Sequence, residues 1–233
     1  MNAVKVLNAL ATLLLAACVS APPTGPVADR VVAPDIRKGE SWTYQLRDGY
    51  NGMVLRTVRE QVINHDGERF GISLTDAKLP AGDTVLYTAE ANPVYLRAGR
   101  AALPVHYAPF KPDYVFPLEV GRHWQGNFVV QAPAGGRSIR ATLYGQAVGW
   151  EHVSVPAGEF DALKIRRQIY LDDEEFWRWG TQIYETDWYV PAIKRFVKHE
   201  DKSEYVEKSG RYPNNIRRGD WSVLELTKYQ PAG

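Results

Sequence analysis

The stretch Val153–Gln168, VSVPAGEFDALKIRRQ, reads as two strands and the turn between them. Pro156 fixes φ and ends the first strand. Gly158 accepts a positive φ, so the chain reverses at Pro156-Ala157-Gly158. Phe160 folds back onto the sheet. From there the side chains alternate, with Leu163 and Ile165 on one face and Lys164, Arg166 and Gln168 on the other. The apolar parity runs on through Ile169 and Leu171, interrupted at Arg167.

The same period of two recurs on both sides. Trp42, Tyr44 and Leu46 alternate with Thr43, Gln45 and Arg47. DGYNG then turns the chain into a long strand, Met53–Asn64. HDGE is a further turn, followed by alternating Phe70, Ile72 and Leu74. Thr84–Glu90 and Val94–Arg97 are shorter strands. Trp124, Gly126, Phe128 and Val130 alternate, as do Ile139, Ala141, Leu143 and Ala147, and a last strand spans Trp221–Tyr229. Tyr107–Leu118, YAPFKPDYVFPL, is too rich in proline for a central strand. No stretch carries a helical apolar stripe, and a short helix has room only in 100–115. The expected fold is all-β, with little helix: a curved, strongly twisted antiparallel sheet, a half-barrel or open barrel.

A faint repeat divides the chain into 38–115 and 116–233, either an ancient duplication or two uses of one β-meander unit. KGESWTYQ (Lys38–Gln45) and VGRHWQGN (Val120–Asn127) both read x-Gly-x-x-Trp. The glycine permits the turn and the tryptophan plugs one end of the core.

Three segments around the opening stretch carry a resemblance: FPLEVGRHWQG (Phe116–Gly126), VPAGEFDAL (Val155–Leu163) and DWYVPAIKRFVKHE (Asp187–Glu200). Their order resembles that of uncharacterised bacterial envelope lipoproteins with a Phe-Pro-Leu-x-Val-Gly-x-x-Trp and a Val-Pro-Ala-Gly-x-Phe motif. It covers Phe116 to Glu200, under half of the chain. The resemblance implies a half-barrel sheet similar to that of lipoprotein carriers, and it confers no catalytic residues. Where that pattern has Val-Gly-x-Val, this chain has Ile193-Lys194-Arg195-Phe196.

Of 233 residues, 45% are hydrophobic and the net charge is +1, with seven Trp and thirteen Tyr. This balance lacks the basic footprint of a nucleic-acid binder. The N-terminus reads as a targeting segment: Lys5, an apolar run from Leu7 to Leu15, then Leu15-Ala16-Ala17-Cys18. That ending resembles a lipobox, in which Cys18 is acylated and becomes the new N-terminus. Residues 1–17 are thus the expected signal peptide, and Cys18 with the proline-rich stretch to residue 34 the expected tether. In polyproline II, at about 3.1 Å per residue, the tether reaches roughly 50 Å from the lipid. Residues 35–233 are then one β-domain. Cys18 is the only cysteine, so no disulfide within the chain is available. Val19 differs from the Asp that retains lipoproteins at the inner membrane, which by resemblance implies the outer membrane in a Gram-negative cell, with the domain facing the periplasm.

Catalytic, phosphate-cradling and metal motifs are missing from the sequence, and no cofactor is implied. The five histidines are scattered. His123 and His152 flank one hairpin, and His199 shares a strand face with Asp201. In DDEEFWRWG (Asp172–Gly180) four acids make a solvent-facing turn. Trp177 and Trp179 share a face there, and Tyr184 and Trp188 extend it. These four aromatics are the expected ligand face. The functional expectation is a non-catalytic, lipid-anchored envelope protein that binds an apolar ligand or envelope component on an aromatic sheet face. Two alternatives stand beside it. One is an assembly subunit of an envelope complex, presenting an exposed apolar patch. The other is a hydrolase in which two or more of His106, His123, His152 and His199 converge with a carboxylate.

Overall fold

The computed structural model describes residues 28–76, 83–97, 104–131, 136–208 and 215–233. Cys18, the signal segment and most of the tether lie outside the described residues. Among those described, twelve strands form one closed barrel. They are β1 (Ser41–Asp48), β2 (Val54–His65), β3 (Arg69–Thr75), β4 (Asp83–Thr88), β5 (Pro93–Arg97), β6 (Val105–Ala108), β7 (His123–Gln131), β8 (Ile139–Val155), β9 (Gly158–Leu171), β10 (Gln182–Val190), β11 (Arg195–Val206) and β12 (Ile216–Gln230). Every neighbouring pair is antiparallel, and each strand pairs with the next in the chain. β12 returns to β1, with Ser41 opposite Gln230 and Asp48 opposite Ser222.

The sheet is therefore closed where the sequence suggested a half-barrel or open barrel. Closure gives every strand two partners and removes the free backbone edges that an open sheet leaves unpaired. The short helix allowed in 100–115 does not occur in 104–115, where Val105–Ala108 is strand β6. Residues 38–115 hold β1–β6 and residues 116–233 hold β7–β12. Their opening motifs are built alike: Gly39 and Gly121 have φ of +96° and +85°. Trp42 and Trp124 are both buried, each the second residue of its strand.

Alternation places Leu163, Ile165, Arg167 and Ile169 of β9 inside. The Pro156-Ala157-Gly158 turn folds over the barrel end, where the Ala157 amide donates to the Leu226 carbonyl at 2.9 Å. Packing begins ahead of Asp35: Val31 is buried and pairs with Leu118, at 2.8 Å in both directions.

The proline-rich segment between β6 and β7 fills the lumen from the same end. Tyr114 and Leu118 are buried in the core and Phe116 packs against it. Buried Asn92 holds the segment by both backbone groups of Tyr114, at 3.0 and 2.8 Å. Trp124 Nε1 donates to the Pro112 carbonyl at 3.0 Å. Two glycines make the space. A Cβ on Gly126 would lie 2.4 Å from Pro112, and one on Gly145 would lie 2.0 Å from the Trp124 ring. Gly145→Ala should therefore cost about 1–3 kcal/mol by forcing the indole out of place. Gly149, on the same strand, meets nothing within 4 Å of an added Cβ. Gly149→Ala should hold or gain stability by about 0.5–1 kcal/mol. Urea unfolding of both variants checks the contrast, and equal stabilities would refute the close-approach role of Gly145.

Candidate functional site

Arg167 occupies an inward position of β9 between Ile165 and Ile169, and its side chain is 1% exposed. A guanidinium cannot remain there without partners. β10 supplies them, because Glu185 and Asp187 point inward two residues apart. Arg167 Nε donates to Glu185 at 2.8 Å, and Nη1 to Asp187 Oδ2 at 2.7 Å. The lumen segment adds Lys111, whose ammonium reaches both Glu185 oxygens at 2.6 and 2.8 Å. Lys111 also lies 3.0 Å from Asp113. Asp187 further accepts the Tyr114 hydroxyl at 2.5 Å and faces His199 Nδ1 of β11 at 2.6 Å.

Burial would raise the Asp187 carboxyl, but Arg167 and then His199 outweigh it and hold the group below the usual carboxylate range. Glu185 is held down to about 2: burial opposes ionisation, and Lys111 and Arg167 overcome it. Asp113 goes the other way, since burial outweighs the same two cations and raises it. Burial would lower His199, yet Asp187 raises it above the ordinary histidine value. The cluster thus holds ionised Glu185 and Asp187 against Arg167 and Lys111, and favours the histidine cation.

A second ion pair lies alongside. Arg195 Nη1 donates to Glu60 at 2.5 Å, and its guanidinium packs over the rings of Trp42, Tyr87 and Phe196 at 5.0–5.4 Å. Between these groups lies a cavity of about 300 Å³. Tyr87, Tyr107, Val85, Leu96 and Leu224 contribute the less polar part of its lining, and Lys111, Asp113, His199 and Asp201 are among its charged groups.

The aromatic residues expected to form a ligand face are not assembled inside the barrel. Trp177 and Trp179 stand in the β9–β10 loop, 37% and 54% exposed, beside Phe176 at 90%. Arg178 covers Trp177 and Lys208 covers Trp179, at 5.5 and 4.5 Å from the ring centres. Tyr184 and Trp188 share the parity of β10 opposite to Glu185 and Asp187, on the outer face, where Trp188 is nonetheless buried at 8% exposure. The Tyr184 hydroxyl donates to Gln182 at 2.9 Å. Trp188 lies between Lys164 and Lys198 and donates to Glu151 at 2.9 Å. The inner face is instead charged at its middle, because every second residue of 185–189 points to the lumen. Three of the four loop acids face solvent as expected, Asp172 pairing with Arg140 and Glu174 with Lys208, but Asp173 is turned in, accepting from Arg178 and from the Thr181 amide and hydroxyl.

The histidines do not converge. His199 alone lines the cavity, together with Asp201 on the same face of β11. His152 pairs with Asp161 at 2.9 Å on the surface, and His106 packs on Tyr95. No group of three or more metal-ligating side chains occurs among the described residues. The sequence reading passed over Arg167, Glu185, Asp187, Lys111 and Asp113 as site residues. One signal was available: Arg167 sits on the apolar parity of its strand, and a charge there must be paired.

No protein-family model matches the chain, and no curated protein matches it. Among solved structures, the barrel is similar to a Bacteroides fragilis protein assigned as exported, with a YmcC-like fold. That likeness has 15% identity and a TM-score of 0.46, and covers 86% of this chain and 99% of the other. A Parabacteroides distasonis protein assigned as a lipoprotein matches at 14% identity and TM-score 0.45, covering 88% and 100%. The hypothetical lipoprotein YmcC of Escherichia coli matches at 12% identity and TM-score 0.47, covering 83% and 86%.

Arg167→Ala leaves two carboxylates buried without their shared cation and should cost about 3–5 kcal/mol in urea unfolding. A loss below about 1 kcal/mol would contradict the account of the cluster. His199, raised in the folded state, contributes stability below its unfolded value of 6.5 and loses it as pH rises through the folded value. His199→Gln should flatten the fall in stability across that window. Parallel pH profiles of variant and wild type would show that the Asp187 pair does not act this way.

Proposed function

We propose that the protein is a lipid-anchored envelope protein that holds a small amphipathic molecule in its barrel lumen without chemically altering it. The observation that carries this reading is the cavity of about 300 Å³, whose lining joins tyrosine and aliphatic groups to charged side chains. Ligand cavities join such an apolar lining to a few fixed polar groups. The ion network holds the charged groups of that lining, so a ligand meets side chains already held in place. The His199–Asp187 pair stands among tyrosines, carboxylates and cations, and among the described residues no serine or threonine hydroxyl lines the cavity with it. That lining favours binding over nucleophilic chemistry. The anchor rests on Cys18 in its lipobox-like setting, and two or more acyl chains make such anchoring stable. The outer membrane is the expected site, from Val19.

A second reading, an assembly subunit, is favoured by one observation. Tyr50, Met53, Leu55, Phe176, Trp179 and Ile216 are all exposed, in the β1–β2, β9–β10 and β11–β12 connections and the strand ends beside them, at the end away from the lumen segment.

The test is native mass spectrometry of the full chain, purified in lipid nanodiscs and released in the gas phase. Wild type should carry a molecule of one mass, and Leu224→Trp, which fills the cavity, should lose it while remaining folded. Empty wild-type protein, or the same mass on the filled variant, would overturn the lumen reading in favour of the exposed rim.

A further inference from the structure

We infer that the molecule held in the lumen carries a positive charge, an ammonium or a comparable organic cation, bound at Asp201. The inference rests on the lumen reading above and names the ligand class of that site.

Among the described residues the charges around the cavity do not balance. Glu60 is matched by Arg195, and Lys194 is drawn to buried Glu40 outside the cavity. Four carboxylates remain, Asp113, Glu185, Asp187 and Asp201. They face two permanent cations, Lys111 and Arg167, and one histidine. Glu185 and Asp187 take Arg167, Glu185 and Asp113 share Lys111, and Asp187 takes His199. Even with His199 protonated, Asp201 has no counter-ion. Among the described residues it forms no hydrogen bond or ion pair. The groups around it are Glu185 on β10, Asp220 on β12, His199 on its own strand and Lys111 from the lumen segment.

Asp113 also lines the cavity at 9% exposure, with its Oδ1 enclosed beside Lys111 at 3.0 Å and Arg167 at 3.5 Å. An ammonium in the cavity would donate to Asp201 and neutralise it. An anion entering the same cavity would meet the surplus carboxylate at close range, which disfavours it. Leu96, Tyr107 and Leu224 offer apolar contact to the hydrocarbon part of such a ligand. Burial raises Asp201, with Glu185 adding to it. A bound cation reverses that preference by favouring the ionised carboxylate.

The experiment compares hexylammonium, hexanoate and hexanol, which share one tail and differ in head charge. Each is titrated calorimetrically into the full-length chain in zwitterionic nanodiscs, with empty nanodiscs as the blank. Hexylammonium should bind at least about tenfold tighter than hexanoate, a difference of about 1.4 kcal/mol. Asp201→Asn, which leaves every ion pair of the cluster in place, should remove most of that preference. Lowering the pH through the titration of Asp201 should weaken hexylammonium binding more in wild type than in Asp201→Asn, in which Asp113 and His199 still titrate. Equal or tighter binding of hexanoate, or a preference that survives in Asp201→Asn, would overturn the cation assignment while the lumen reading stands. If none of the three compounds binds, the lumen reading falls and this inference falls with it.

Discussion

A buried guanidinium sets the terms for the interior of this barrel. Arg167 takes a position that the alternation of β9 reserves for apolar side chains, and an ion there costs several kcal/mol to desolvate unless it is paired. The compensation comes from two places at once. β10 supplies Glu185 and Asp187 and the segment between β6 and β7 supplies Asp113, while His199 of β11 and Lys111 and Tyr114 of that segment satisfy the same carboxylates in turn. Because each partner is itself charged or hydrogen-bonded, none can leave without exposing another. The network therefore ties the lumen segment to the wall and confines the cavity to one side of it.

The wall accommodates that segment through shape. Gly145 sits opposite Trp124 in the β7–β8 register, and the absence of a side chain there lets the indole lie flat against the sheet. Gly126 does the same for Pro112. Trp124 then bonds the segment's backbone at Pro112. On the opposite side, Lys194 adopts the left-handed conformation, with φ of +62°, that glycine fills in the resembling pattern. Its ammonium reaches the Asp35 carbonyl at 2.6 Å and buried Glu40. The bend survives the loss of glycine because that ion pair offsets the backbone cost.

Much of the fold was legible from residues that act locally. The parity of Leu163, Ile165 and Ile169, the turn at Pro156-Ala157-Gly158 and the glycines ahead of Trp42 and Trp124 depend on neighbours within a few positions, and each is found where alternation put it. The site was far less legible. Trp177 and Trp179 do share one stretch, but the stretch is a loop, so their spacing says nothing about a sheet face. Tyr184 and Trp188 have the parity of a face, and only the position of Glu185 and Asp187 shows that the face is the outer one. Lys111 and Asp113 lie in a proline-rich run whose irregularity was readable and whose destination was not.

The sequence by itself determined an all-β chain with strands in meander order, because period-two alternation and turn chemistry are local properties. It also determined a single thiol in a lipobox-like setting, because that is a matter of composition and spacing. Tertiary structure alone decided that the sheet closes, since closure depends on the first and last strands meeting. It alone decided that Arg167 is answered by residues 18, 20 and 54 positions away. Charge compensation acts through space at a few ångströms, and no pattern along the chain records which distant strand will supply it.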